Sequence, residues 1–116
     1  MSKSEKLIDT FKNLLEKTDE RIEATKDRKD DLCIITAQCL FVKVVITDRG
    51  FIRIWDIVPE EEATFFTDAA LAEKSLKALE TSIPHKKFRI VTLEKALDIK
   101  RMAYEALIEL TSQKDS

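Results

Sequence analysis

Hydrophobic positions near the start of the chain recur every three or four residues, which is the spacing of one face of a helix. The residues on this face are Leu7, Ile8, Phe11, Leu14, Leu15, Thr18 and Ile22. Ser2 and Glu5 have the spacing of a capping box, and the charged run at 26–31 offers nothing apolar to bury. The pattern therefore predicts a first helix that ends near Thr25.

Between Leu32 and Val58 the chain is rich in Val, Ile, Thr, Phe and Trp, the residues that favour β-strands. Residues 48–50 separate two such runs and fit a three-residue hairpin loop, in which Gly50, the only glycine, adopts a left-handed conformation. Residues 32–37 predict a further strand. No Gly, Pro or Asn marks a turn before Leu40, so one long bent strand is the alternative.

The predicted hairpin turn determines which side chains share a face of the sheet, because side chains alternate along a strand. With Thr47 opposite Phe51, one face mixes aromatic, aliphatic and charged residues: Phe41, Lys43, Val45, Thr47, Phe51, Arg53, Trp55 and Ile57. The other face is almost wholly aliphatic and is the predicted core side: Leu40, Val42, Val44, Ile46, Ile52, Ile54, Asp56 and Val58.

Pro59 ends the predicted sheet, and the three glutamates at 60–62 predict a solvated acidic turn. Thr67 or Asp68 can then cap a second helix, which Pro84 ends. The apolar face of this helix consists of Leu71, Ala72, Leu76, Leu79 and Ile83.

The last part of the chain predicts a strand at 88–91, followed by a helix that Thr92 caps and that reaches about Leu110. Together these patterns predict the α+β class. The expected elements are three helices and an antiparallel sheet of three to four strands, in the order α-β-β-β-α-β-α.

Length and composition favour one domain over 1–116, with frayed ends at 1–4 and 112–116. A chain of 116 residues is near the commonest domain size, and 44% hydrophobic residues supply enough side chains for one core. The net charge of −2 gives no broad positive field that would attract nucleic acid or anionic lipid. No leader and no membrane span is evident, so we expect a cytoplasmic protein that does not contact membranes.

The apolar face of the last helix is about twice as wide as contact with a single sheet requires. Cover by both the sheet and the first helix would explain this width inside one subunit. The alternative is a homodimer, since leftover apolar helix surface commonly forms two-fold interfaces. The predicted dimer interface consists of Ile99, Ala103, Ala106, Leu107 and Leu110.

The mixed face of the hairpin is the second candidate surface, with Lys43 placed next to Trp55 for a cation–π contact. Aromatic and arginine side chains are typical anchors in protein interfaces. The predicted partner-binding residues are Phe41, Lys43, Phe51, Arg53 and Trp55. Alternatively, the first helix covers this face.

These surfaces favour a non-enzymatic protein-interaction module, such as an adaptor, inhibitor or chaperone-like protein. An alternative is a single-stranded nucleic-acid binder that adds Lys86, Lys87 and Arg89 to Lys43 and Arg53. A small-molecule sensor with a pocket between sheet and helices is a third possibility, which the sequence neither supports nor opposes.

The sequence lacks the patterns of known catalytic chemistry, so we expect no catalytic residue, cofactor site or metal site. His85 is the only histidine, and Cys33 and Cys39 do not form a C-x-x-C pair. Phosphate-binding and nucleophile-elbow motifs need more glycines than this chain contains. Both cysteines lie in an apolar run and are expected to be buried, inert thiols.

Overall fold

The computed structural model describes residues 3–114 and has the predicted α+β fold. The helices are α1 (Lys3–Ala24), α2 (Ala69–Ser82) and α3 (Leu93–Lys114), and the strands are β1 (Leu32–Thr36), β2 (Val42–Ile46), β3 (Ile52–Ile57), β4 (Phe65–Phe66) and β5 (Phe88–Thr92). The order α-β-β-β-α-β-α is confirmed, and the two-residue strand β4 is an addition that the sequence did not predict. Residues 3–4 and 112–114 are helical, in contrast to the predicted frayed ends. Residues 1–2 and 115–116, which include the predicted capping residue Ser2, lie outside the described residues.

The contacts divide the described chain into two compact units. The helical unit contains residues 3–29 and 97–114, and the sheet unit contains residues 30–96. The first turn of α3 belongs to the sheet unit, and the rest of this helix belongs to the helical unit.

All strand pairs in the sheet unit are antiparallel. β1 lies between β4 and β5, whereas β2 and β3 form a separate two-stranded sheet. A single bridge between Ile35 and Phe41 joins the two sheets. Cys33, Ile34 and Ile35 on β1 are completely buried, so this strand is enclosed on both faces.

Helix α2 covers one face of the sheet. The core cluster there consists of Ile34, Val42, Val44, Phe66, Ala72, Leu79, Ile83 and Phe88. The predicted apolar face of α2 was wrong at Leu71, which is exposed, while Ser75 and Ala78 are buried. Leu71 lies on the same side of the helical wheel as Ser75 and Ala78, but in the first turn of α2, before both of them. The Asp68 cap is confirmed, since its carboxylate accepts a hydrogen bond from the Ala70 amide at 2.9 Å.

The β2–β3 turn has the predicted three-residue loop. The Thr47 amide donates to the Phe51 carbonyl at 2.8 Å, and the Gly50 amide donates to the Thr47 carbonyl at 2.9 Å. The Phe51 amide donates to the Thr47 hydroxyl at 3.1 Å, and Gly50 has a φ of 85°. Gly50 therefore occupies the left-handed position, as predicted.

The β1–β2 turn repeats this hydrogen-bond pattern without a glycine. The Thr36 amide donates to the Leu40 carbonyl at 2.9 Å, and the Cys39 amide donates to the Thr36 carbonyl at 2.9 Å. The Leu40 amide donates to the Thr36 hydroxyl at 3.1 Å. Cys39 takes the left-handed position with a φ of 64°. This tight turn separates β1 from β2 and excludes the alternative of one long bent strand.

In the helical unit, α1 and α3 are linked by an ion pair. Arg101 Nε lies 2.7 Å from Asp19 Oδ1, and Arg101 Nη1 lies 2.7 Å from Glu105 Oε1. These carboxylates raise the pKa of Arg101, chiefly through the hydrogen bond to Asp19, so its charge is fixed. The pair ties the last third of α1 to the first half of α3.

Candidate functional site

The register of the β2–β3 hairpin differs from the prediction by one residue. Val45 pairs with Ile54 and Ile46 pairs with Ile52, so Arg53 is the extra residue of a β-bulge. Beyond this bulge, Val44 lies opposite Trp55 and Lys43 lies opposite Asp56. A one-residue shift moves side chains to the other face of a strand, so the predicted mixed face does not exist as a unit.

Trp55 therefore lies on the core side, contrary to the prediction. Its ring packs against the core cluster and meets Phe88 edge to face, with ring centroids 6.1 Å apart. The cation over the indole is Lys86, with Nζ 5.8 Å from the ring centroid, and not the predicted Lys43. Phe41 is also buried, with 2% exposure, because it continues the sheet toward β1 at the Ile35 bridge.

Three of the five predicted partner-binding residues are exposed: Lys43, Phe51 and Arg53. The structure adds Ile54, which was predicted on the core side: it is 50% exposed and lies opposite the exposed Val45 of the predicted mixed face. Lys43 and Asp56 form the next pair of exposed residues along the same strands. The outer surface of the hairpin is thus aliphatic with a charged border, and it lacks the predicted tryptophan. We call Lys43, Val45, Ile54 and Asp56 the hairpin surface.

Most of the predicted dimer residues lie on the exposed side of α3. Ala103, Ala106, Leu107 and Leu110 are exposed, and Ile99 is half-buried. Met102, 58% exposed, extends this apolar surface and was missing from the prediction. Among the less exposed residues of α3, five form a different row: Leu97, Arg101, Tyr104, Ile108 and Thr111.

The two rows of α3 lie on nearly opposite sides of the helix, about 150° apart at 3.6 residues per turn. Both have the alternating spacing of four and three residues that is typical of coiled-coil seams. The row with Arg101 faces α1, as the ion pair to Asp19 shows. In the other row Ala103, Ala106 and Leu110 are exposed, and Ile99 at its start is half-buried.

A groove of about 300 Å³ lies between the tip of the β2–β3 hairpin and α2. Its lining is strongly basic and includes one aromatic ring: Arg49, Gly50, Phe51, Lys74, Lys77, Ala78, Thr81 and Ser82. Lys74 ties the two sides together, because its Nζ donates to the Asp48 carbonyl at 3.0 Å. Phe51 is 67% exposed and is not part of the core. No sequence pattern connects these residues, because the hairpin and α2 are distant in the chain.

A second basic surface lies beside the β1–β2 turn. One cavity of about 300 Å³ is lined by Thr36, Ala37, Gln38, His85, Lys86 and Lys87, and another of about 340 Å³ is lined by Ala37, Lys87, Phe88 and Arg89. Arg89 also donates a hydrogen bond to Cys39 Sγ at 3.7 Å. The side chain of Phe88 is buried, so this surface is basic but presents no exposed aromatic ring.

The two cysteines lie in different environments. Cys33 is completely buried, and burial together with the negative charge of Glu60 raises the pKa of its thiol to about 12. Glu60 is itself buried, whereas Glu61 and Glu62 are exposed, so the predicted solvated turn was wrong at its first residue. Cys39 is half-buried because it lies in a turn and not in a strand. The prediction of two buried thiols is thus correct for Cys33 alone.

Within residues 3–114, no group of three His, Cys, Asp or Glu side chains has an arrangement that could hold a metal ion. No helix in this range has the length and hydrophobicity needed to cross a membrane. The chain matches no protein-family model, and no curated protein or solved structure is significantly similar to it.

Proposed function

We infer that this protein is a non-enzymatic protein-interaction module that forms a homodimer through α3. The observation that carries this proposal is the exposed apolar row of α3, in which Met102 and Leu110 are 58% and 57% exposed. A surface helix of a monomer usually presents polar residues on the side that faces away from its neighbours. Association with another helix would bury this row.

The sequence of the row supports a second copy of the chain as the occupant. From Ile99 through Ala103 and Ala106 to Leu110, the side chains are large, small, small and large. This order is the same in both directions. A two-fold axis perpendicular to α3 reverses the second helix, which places Ala103 against Ala106 of the other subunit and Ile99 against Leu110. The small central residues allow the two helices to approach closely.

In this dimer each α3 lies between α1 of its own subunit and α3 of the other subunit. The row with Arg101 is used within the subunit, and the row with Ala106 is used between subunits. The wide apolar face that the sequence shows is thereby divided between two contacts. One part of the apolar face is covered within the subunit, and the other part is covered by the second subunit.

The hairpin surface is the proposed binding site for a different protein. Val45 and Ile54 form an exposed apolar pair, and Lys43 and Asp56 border it with opposite charges. An apolar centre with a polar rim is the usual composition of a protein interface. We place this activity in the cytoplasm; the two cysteines support a reducing compartment because both are free thiols.

Sedimentation equilibrium across micromolar concentrations tests the homodimer. The unaltered protein should have the mass of a dimer, and Ala106→Glu should reduce it to a monomer because a charge would be buried at the two-fold axis. Ala70→Glu is the matched control, since Ala70 is an exposed alanine on α2. This control should remain dimeric.

A monomer at every concentration would refute the homodimer, as would an Ala106→Glu variant that associates as tightly as the unaltered protein. Far-UV circular dichroism of each variant separates lost association from lost helix. Because Ala106 is exposed in the subunit, the substitution should leave the helical signal unchanged.

A further inference from the structure

We propose that the groove between the β2–β3 hairpin and α2 binds a mononucleotide unit, meaning an aromatic base joined through a sugar to a phosphate. This inference goes beyond the proposed dimerisation, because no residue of α3 lines the groove. The cations of the groove supply the phosphate contacts, and the exposed ring of Phe51 supplies a surface on which a base can stack.

The charge of the groove favours an anionic ligand. Arg49, Lys74 and Lys77 are three cations among eight lining residues, and none of the eight is acidic. Lys74 is held by the Asp48 carbonyl, while the guanidinium of Arg49 has the planar geometry that suits two phosphate oxygens. The protein as a whole has a net charge of −2, so this positive site is local.

The direction of α2 sets the orientation of the ligand. Thr81 and Ser82 lie at the C-terminal end of α2, where the helix dipole disfavours a negative charge. The phosphate is therefore expected near Lys77, one turn earlier. The Thr81 hydroxyl donates to the Lys77 carbonyl at 2.9 Å and can therefore only accept a hydrogen bond from the ligand. Such a bond, together with one to the Ser82 hydroxyl, suits an uncharged, hydroxyl-bearing part of the ligand, which the sugar provides.

The two sides of the groove are held together before any ligand binds. Gly50 brings the hairpin tip so close to α2 that a Cβ atom added at this position would lie 3.2 Å from Lys74 Cε. The hydrogen bond from Lys74 to Asp48 closes the same end. A site of about 300 Å³ is at the lower limit of small-molecule pockets, so it suits one nucleotide and not a dinucleotide.

The second basic surface provides the matched comparison. Lys86, Lys87 and Arg89 give it a similar charge, but its aromatic neighbours do not offer a free ring face. Phe88 is buried, and Lys86 lies over Trp55. If charge alone determined binding, both surfaces would bind the same anions equally well.

Titration of ¹⁵N-labelled protein with adenosine monophosphate, followed by amide NMR shifts, tests the proposal. Amides of residues 49–51 and 77–82 should shift in a saturable way, and adenosine or inorganic phosphate alone should bind more weakly. Lys77→Gln and Phe51→Ala should each raise the dissociation constant at least about fivefold, through a lost charge-assisted hydrogen bond and lost stacking. Lys87→Gln removes the same charge from the comparison surface and should leave the constant unchanged.

The proposal fails if these amides do not shift, if inorganic phosphate binds as tightly as the nucleotide, or if Lys87→Gln weakens binding as much as Lys77→Gln. A single-stranded oligonucleotide then identifies the source of the nucleotide. Equal affinity for the oligonucleotide and the mononucleotide supports a free nucleotide as the ligand. Tighter oligonucleotide binding that also shifts amides of residues 85–89 supports a nucleotide within a nucleic-acid strand. Either result is compatible with a monomer or a dimer, so it is independent of the α3 interface.

Discussion

The indole ring of Trp55 meets the phenyl ring of Phe88 edge to face, at 6.1 Å between centroids and 86° between planes. This contact joins the β2–β3 sheet to strand β5 of the other sheet. Trp55→Ala should lower the free energy of unfolding by about 2–4 kcal/mol, because it removes a large half-buried ring from the edge of the core. Urea unfolding measures this loss.

Ile54→Ala is the control variant for Trp55→Ala, and the comparison tests the observed strand register. Ile54 is adjacent to Trp55 but points outward and is 50% exposed, so its truncation should cost less than about 1 kcal/mol. Equal losses for the two variants, or a larger loss for Ile54→Ala, would favour the register without a bulge at Arg53.

The β1–β2 and β2–β3 turns have different residues in the left-handed position, cysteine and glycine. Substitutions at these two positions should therefore have opposite effects on stability. Cys39→Gly should stabilise the protein by about 0.5–1 kcal/mol, because a side chain in this conformation is strained by about 1–2 kcal/mol and glycine is not. Gly50→Ala should destabilise it by about 1–2 kcal/mol for the same reason, and also because the new Cβ approaches Lys74. Thermal unfolding of both variants provides the comparison.

Ala37→Gly serves as the control for these turns. Ala37 lies in the same loop as Cys39 and has no positive φ, so glycine there should be slightly destabilising. A stabilisation by Ala37→Gly as large as that by Cys39→Gly would indicate a general effect of loop flexibility and not the relief of strain.

The raised pKa of Cys33 predicts a loss of stability at alkaline pH. The folded state holds the thiol proton up to about pH 12, whereas the unfolded chain releases it above its ordinary value of 9.0. The unfolded state therefore binds fewer protons between these values, and stability falls as pH rises. At pH 10 this one group accounts for a loss of about 1.4 kcal/mol. Cys33→Ala should remove that part of the pH dependence, so the difference between the two unfolding curves is the quantity to measure.

The ion pair between Asp19 and Arg101 predicts a salt-dependent stability of the helical unit. Asp19→Asn should lower the melting temperature in dilute buffer, and this effect should diminish as salt is added. Glu23→Gln is a matched change on α1, because the Glu23 carboxylate pairs with Lys26, three residues further along the chain. Its effect should be smaller, because both members of that pair are more exposed.

The sequence predicted the helices and the main strands because their periodicity and caps are local signals. Asp68 and Gly50 hold the positions that those signals assign to them. The bulge at Arg53 carries no such signal, since no glycine or proline marks it and both registers place aliphatic residues on one side. Packing of Trp55 against Phe88, which is far away in the chain, selects the observed register.

The α3 surface was largely predictable, whereas the basic groove was not. Residues on one helix have a fixed angular relation, so the row with Ala103 and Leu110 follows from spacing alone. The groove depends on the contact of Lys74 with Asp48, which the sequence does not indicate. The turn at Cys39 was missed because cysteine rarely occupies the left-handed conformation; Thr36, equivalent to Thr47 of the other turn, was the available clue.

The enclosure of β1 has a consequence for how the native protein opens. Its amides lie in a strand with hydrogen-bonded neighbours and no access from either face, so Cys33, Ile34 and Ile35 can exchange hydrogen with solvent only when the whole sheet unit separates. Amides on the exposed side of α3 can exchange without this separation of the sheet unit. Hydrogen exchange should therefore rank these amides among the slowest in the protein, and their rate would report the global opening of the sheet unit directly.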